Sequence, residues 1–336
     1  MAAYVQSMDK TGKFVNNMMW KRRLAIKFSS LEAVKNGKGM SITIGDNDDV
    51  NFTIRISGGK KMSMLQDKGT IEISNMSYDT IAQIINFKLY KIEINVGYEN
   101  GNFFTIAKGE VSYIQQKIKA NRDVTLYIMY ASEFVARWSQ SRINYSIRSG
   151  INVYDMLNYL FIREGIPKTN LSKELKSLTL SNIQADNQKM STVIEQALAS
   201  SNTGFCLSTD SSFDNAVVSV TDLKGKKAFV IDPNMININN GNPTISSSGL
   251  AISFFPVYDF CPGDVIKIEN RIIDTSSGMT DAESVISTFN ANYIDQNGCY
   301  LIREVNYTFE NRGDNFFLDC KAIALSVISG ITGVIT

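Results

Sequence analysis

The chain contains no histidine in 336 residues. Ser-His and Cys-His nucleophilic pairs, imidazole acid–base catalysis and His-ligated zinc are thereby excluded, which leaves carboxylate, lysine, tyrosine or cysteine chemistry. Cysteine is scarce as well. Cys206, Cys261, Cys299 and Cys320 lie far apart in apolar or strand-like surroundings and form no C-x-x-C pair for metal or redox work. Buried free thiols of a reducing compartment are expected, with a structural disulfide as the alternative. Neither sign of charge dominates: 34 basic against 33 acidic residues leave a net charge of +1, which argues against a dedicated nucleic-acid binder and against any specific nucleic-acid sequence as a partner. There is no apolar run long enough for a membrane span, and Met1 to Lys10 lacks the apolar stretch of a signal peptide, so a protein that stays soluble in the cytoplasm that makes it is expected.

What is present is β-structure. Hydrophobic residues make up 44% and charged residues 20%, the balance of a globular chain long enough for two or three domains. Met1 to Asn17 is polar and aperiodic and reads as an arm. Leu24, Ile26 and Phe28 then alternate along a strand, followed by strands at Met40 to Ile44, Val50 to Ser57 and Gly69 to Ser74. Ser77 caps a short helix with Ile81, Ile84 and Ile85 on its apolar side. Strands at Tyr90 to Tyr98, Phe103 to Tyr113 and Val124 to Ala131 bring the count to that of a closed or nearly closed barrel. The middle changes character. Asn152 caps a helix with Val153, Met156, Leu157, Leu160 and Phe161 in one stripe, ended by Gly165-Ile166-Pro167, and Thr192 with Glu195 forms the capping box of a second. β-structure returns from Ala228 onward, with a further helix expected where Thr280 and Glu283 form its cap. The fold class is mainly β with an α+β insert: an N-terminal arm (1–19), a first barrel (20–131), the insert (132–227), a second barrel (228–325) and a C-terminal tail (326–336).

The two barrels end alike. Glu110, Val111 and Tyr113 lead through Arg122 and Asp123 into a strand, and Glu304, Val305 and Tyr307 lead through Arg312 and Asp314 into another. This suggests a pseudo-duplication in which Val111 superposes on Val305 and Tyr113 on Tyr307; two unrelated hairpins built from common strand residues are the alternative.

Gly69 to Ile85, Ile94 to Glu99 and Ile106 to Val111 resemble the first tube-like domain of phage baseplate hub proteins. Gly241 to Thr244, Cys261 to Val265 and Tyr300 to Tyr307 with Arg312-Gly313-Asp314 are similar to the second, although Asn306 and Tyr307 stand where the family usually has a histidine. The resemblance covers residues 20–325. It implies two related tube-like β-barrels and a homotrimer with six barrels in a pseudo-sixfold ring. It also implies a place in the virion tail baseplate between the hexameric tail tube protein and the trimeric central spike protein, contact with the tape-measure protein and other baseplate proteins, and a lumen for DNA. Its motifs are structural, so no catalytic residue, metal or cofactor is expected.

Other patterns are weaker. Asp46, Asp48 and Asp49 lack the glutamate of an EF-hand loop and read as a solvated turn. Gly58-Gly59-Lys60-Lys61 lacks the rest of a phosphate-binding loop and reads as a strand-end turn, and Lys21-Arg22-Arg23 and Lys224 to Lys227 read as solvated or partner-facing patches. Two other classes remain open: a glycan-cleaving enzyme with a carboxylate pair among Glu99, Glu110 and Glu304, and a β-rich tail-tip adhesion module. The uncharged tail, with Val327, Ile328, Ile331, Val334 and Ile335, reads either as a last strand on its own barrel or as a strand added to a partner.

Overall fold

The computed structural model describes residues 4–8, 14–18, 21–45, 52–61, 68–99, 101–118, 124–131, 141–165, 168–180, 183–199, 205–212, 215–222, 227–246, 249–269, 272–274, 294–295 and 297–327. The expected arm is more regular than its sequence suggests: β1 (Tyr4–Met8) and β2 (Phe14–Met18) form an antiparallel hairpin. The first half follows with β3 (Arg22–Ser29), α1 (Leu31–Asn36), β4 (Ser41–Gly45), β5 (Thr53–Lys61), β6 (Lys68–Ser74), α2 (Tyr78–Asn86), β7 (Lys91–Tyr98), β8 (Phe103–Ile118) and β9 (Val124–Ala131). Period-two alternation buries Leu24, Ile26 and Phe28 as expected. α1 is too short for a readable apolar stripe and buries no residue; Ser30 at its N-cap and left-handed Gly37 at its C-cap define it. In α2 the Ser77 hydroxyl accepts from the Thr80 amide at 3.1 Å, and Ile81 and Ile84 turn inward. Ile85, expected with them, is 41% exposed because the buried strip of this short helix is only one side chain wide.

The insert has a hydrophobic cluster of its own. It contains β10 (Arg142–Ile147), α3 (Val153–Arg163), β11 (Lys168–Leu171), β12 (Ile183–Lys189), α4 (Met190–Ala199), β13 (Phe205–Ser212) and β14 (Asn215–Asp222). The Asn152 side chain caps α3 by accepting from the Asp155 amide at 2.7 Å, and the predicted stripe packs against Ile143, Ile147, Leu175 and Ile183. α4 starts at Met190, two residues before the expected capping box, running straight on from β12 with Met190 buried.

The last part holds β15 (Phe229–Val230), β16 (Thr244–Ser246), β17 (Gly249–Phe254), β18 (Val265–Lys267), β19 (Cys299–Glu310) and β20 (Phe316–Ala324). Together with β3 to β9 these strands form one 13-stranded sheet, and the buried side chains of both halves form one continuous cluster in which Tyr98 meets Phe316 edge to face at 5.6 Å.

The duplication is visible in the strand order. The first half runs β5-β6-β9-β8-β7 across the sheet, the second β16-β17-β20-β19-β18, and every neighbouring pair in both is antiparallel. Even a β-bulge recurs. The Val111 amide donates to Tyr90 just before β7, and the register shifts at the next residue; the Ile302 amide donates to Asp264 just before β18, and the register shifts again. The bulge corrects the sequence alignment. Val111 corresponds to Ile302 rather than Val305, and Gln116 rather than Tyr113 holds the position of Tyr307. The repeat ends where β3 lies antiparallel to β7 but β15 parallel to β18.

Candidate functional site: the seam between the halves

The halves are joined by strand pairing. β19 leaves β18 after Leu301, and its outer part, Glu304 to Glu310, pairs with Lys61 to Arg55 of β5. One rung crosses four strands. Tyr307 faces Gly58, Gly58 faces Gly69 and Gly69 faces Tyr130, and the two tyrosine hydroxyls hydrogen-bond at 2.5 Å above the glycines. A Cβ on Gly58 would lie 2.4 Å from the Tyr307 hydroxyl oxygen, and one on Gly69 2.4 Å from that of Tyr130. Gly58 and Gly59 are therefore strand residues, not the turn expected from the sequence: the Tyr307 ring lies over Gly58 and the Asn306 side chain over Gly59, and glycine inside a strand permits such close approach.

Polar groups close the ends of the seam. Asn311 accepts from the Ile54 amide at 2.8 Å and donates to the Phe52 carbonyl at 2.9 Å, pinning the start of β5 to the final hairpin. Arg55 meets Glu310 at 2.6 Å, Lys60 meets Asp259 at 3.3 Å, and Arg22 donates to the Gly313 carbonyl while lying over the Phe316 ring. Lys61 and Lys321 approach Glu304 at 3.3 and 3.6 Å. Burial alone would raise the Glu304 carboxyl, but hydrogen bonds from Asn306 and Lys61 and the charges of Lys321 and Lys61 outweigh it and hold the group below the usual carboxylate range. That is the opposite of what a general acid needs. Glu110 is paired with buried Lys91, and Glu99 with Lys21 at 3.4 Å, so each carboxylate of the enzymatic alternative is committed to lysine.

The sequence-derived residues fall into separate groups. Glu304, Val305 and Tyr307 lie in the seam, with Val305 and Tyr307 buried; Arg312 and Asp314 are exposed in the turn beyond it. Glu110 and Val111 lie where β8 leaves β7, and Tyr113 is 47% exposed on the part of β8 past the bulge. Arg122, Asp123, Asp46, Asp48, Asp49 and the expected helix at Thr280 to Glu283 lie outside the described residues. So do Ile328, Ile331, Val334 and Ile335. The root of the tail is described: Leu325 is buried, and the Ser326 amide donates to buried Asp295 at 2.9 Å, with Val327 closing a 3-10 turn. Among the described thiols, Cys299 and Cys320 are buried and free as expected, whereas Cys261 is half-buried. Burial pushes the Cys320 thiol far up, helped by Asp319, Asp264 and Cys261.

The seam also identifies an edge. By the repeat, β8 corresponds to β19, yet among the described residues no strand pairs with the β7 side of β8 past Val111. There Ile118 is 67% exposed, and on the adjoining strand Met129 is 40% exposed.

No family model matches the sequence, and no curated protein matches it. Solved structures share its fold. The 43 kDa tail protein of prophage MuSo2 from Shewanella oneidensis is 9% identical with a TM-score of 0.51, over 92% of this chain and 100% of that one. A tail protein from Neisseria meningitidis MC58 is 8% identical with a TM-score of 0.51, over 92% and 99%. The Francisella PdpA-VgrG complex in its lidded form matches at 12% identity and a TM-score of 0.51, over 94% of this chain and 54% of that one. The chain thus shares the fold of these tail proteins, with two tube-like halves related by pseudo-duplication.

Proposed function

We propose that the chain is a structural virion protein of the tail baseplate, a hub whose homotrimer adapts a hexameric tail tube to a trimeric central spike and lines the channel for DNA and the tape-measure protein. The strand order repeated in one chain carries this reading. A partner with six equivalent surfaces and a partner with three are both matched by a threefold ring in which each chain supplies two similar units. The shared tail-protein fold supports the same assignment. The near-neutral total charge suits a lumen from which DNA must leave, since tight phosphate binding would hinder transit. No reaction is assigned, because the carboxylates nominated for catalysis are engaged with lysines.

Size-exclusion chromatography with light scattering tests this directly. The expected particle has three times the 37.4 kDa chain mass; a stable single chain across the concentration range, or a dimer, would refute the ring.

The tail is assigned the role of a strand donated to a neighbouring component of the tail. Its root is fixed by Leu325 and Asp295, so deletion of residues 328–336 is expected to leave thermal stability unchanged while assembly with spike or tube stops short. A large drop in melting temperature in that variant would make the segment part of the barrel core instead.

A further inference from the structure

The seam brings an amine and a thiol together. Lys60, on β5 of the first half, extends its Nζ to 3.7 Å from the Sγ of Cys261 in the second. The Oδ1 of Asp259 accepts from both, at 3.3 Å from Nζ and 3.7 Å from Sγ, and so holds the lysine beside the sulfur. Both backbones are fastened to the same strand. Lys60 pairs with Val305 of β19, while the Gly263 amide donates to the Ile302 carbonyl at 2.7 Å and the Ile302 amide donates to the Asp264 carbonyl at 2.9 Å. Within that turn the Asp264 carboxylate accepts from the Cys261 amide at 2.9 Å. We infer that Lys60 and Cys261 form an oxidative cross-linking site, at which hydrogen peroxide converts the pair to a covalent sulfur–nitrogen bond across the seam. The chemistry does not depend on the hub reading.

A thiolate is the form of cysteine that attacks a peroxide, and a neighbouring ammonium favours it. The Cys261 sulfur attacks one oxygen of hydrogen peroxide and breaks the O–O bond. That oxygen stays on sulfur as a sulfenic acid, and the other leaves as water with the thiol proton. Sulfur is oxidised by two electrons and the peroxide is reduced by two. A sulfenic acid condenses with a thiol or a nitrogen beside it. Here the Lys60 nitrogen attacks the sulfur and the S–O bond breaks. Of the three ammonium protons, one joins the departing hydroxide as water, one passes to solvent and one stays on the bonded nitrogen.

Two features select this pair. Among the described thiols Cys261 is half-buried, whereas Cys299 and Cys320 are buried and sheltered from the peroxide. Closure to a disulfide by Cys320 would require its thiolate, and burial pushes that thiol far up. The Lys60 side chain, 15% exposed, keeps a path to the solvent that takes its proton.

The test is treatment of the full-length protein with dilute hydrogen peroxide, read by intact mass and peptide mapping. The expected product is about 2 Da lighter through loss of two hydrogens, with the segment carrying Lys60 joined to the segment carrying Cys261, and dithiothreitol restores the starting mass. C261S is expected to give no such product. K60R keeps a cation beside Asp259 but has no amine, so it is expected to stop at the sulfenic acid, gaining about 16 Da and labelling with dimedone. Because the bond staples the two halves, the melting temperature of the oxidised protein is expected to rise and to return on reduction, and in K60R peroxide is expected to produce no rise. Higher oxidation of Cys261 with Lys60 untouched, a disulfide from Cys261 to Cys206, Cys299 or Cys320, or no reaction at all would overturn the site.

Discussion

Replacing Tyr307 with alanine is expected to lower the unfolding free energy by about 3–5 kcal/mol, the range for truncating a large buried aromatic side chain. The residue is 2% exposed, stacks on Phe309 at 5.7 Å between centroids and supplies one hydroxyl of the rung across the seam. Tyr307→Phe keeps the ring and removes only the hydroxyl, which predicts a smaller loss of about 1–2 kcal/mol. Gly58→Val attacks the same rung from below, because its Cβ would occupy space held by the tyrosine ring. A loss of up to about 3 kcal/mol is expected for such overpacking. Since Tyr307→Ala removes the atoms that valine would strike, the double variant should lose less than the sum of the two. Urea unfolding of the four variants measures all of this. Losses below about 1 kcal/mol for Tyr307→Ala, or strict additivity with Gly58→Val, would mean that the rung does not hold the halves together.

Glu110→Leu is expected to cost about 3 kcal/mol, the lower end of the range for breaking a buried ion pair, because the glutamate side chain is 42% exposed while that of Lys91 is only 5% exposed. The asymmetry sets the sign of the control. Removing the carboxylate leaves an ammonium in a buried place without that counter-charge, whereas Lys91→Met with Glu110→Leu removes both charges and should restore most of the stability. If the double variant is as unstable as the single one, packing of the Glu110 stem is the cause and the ion pair is incidental.

Much of the fold was legible in the sequence because its signals are local. Alternation at Leu24, Ile26 and Phe28, the Ser77 and Asn152 caps and the stripe from Val153 to Phe161 each depend on spacing within one element. The duplication was legible too, but its register was not. Glu-Val-x-Tyr recurs because valine and tyrosine suit strands generally, and so it carries no register. True equivalents such as Gln116 and Tyr307 differ because Tyr307 pairs across the seam with β5, whereas among the described residues no strand pairs with that side of β8 at Gln116. The seam is non-local altogether. Gly58 and Gly59 read as a turn since nothing nearby shows that a tyrosine some 250 residues later will lie on that strand. α1 was hidden for a different reason: its six residues have no period to read.

The central claim is that each chain contributes two equivalent units to one closed ring. An experimental structure of the assembled particle tests it most directly. The account predicts a threefold axis with six units in strict alternation, first half of one chain beside second half of the next, around a common lumen. A particle in which like halves meet across a twofold axis, or in which the outer part of β8 faces solvent in the assembly, would contradict it.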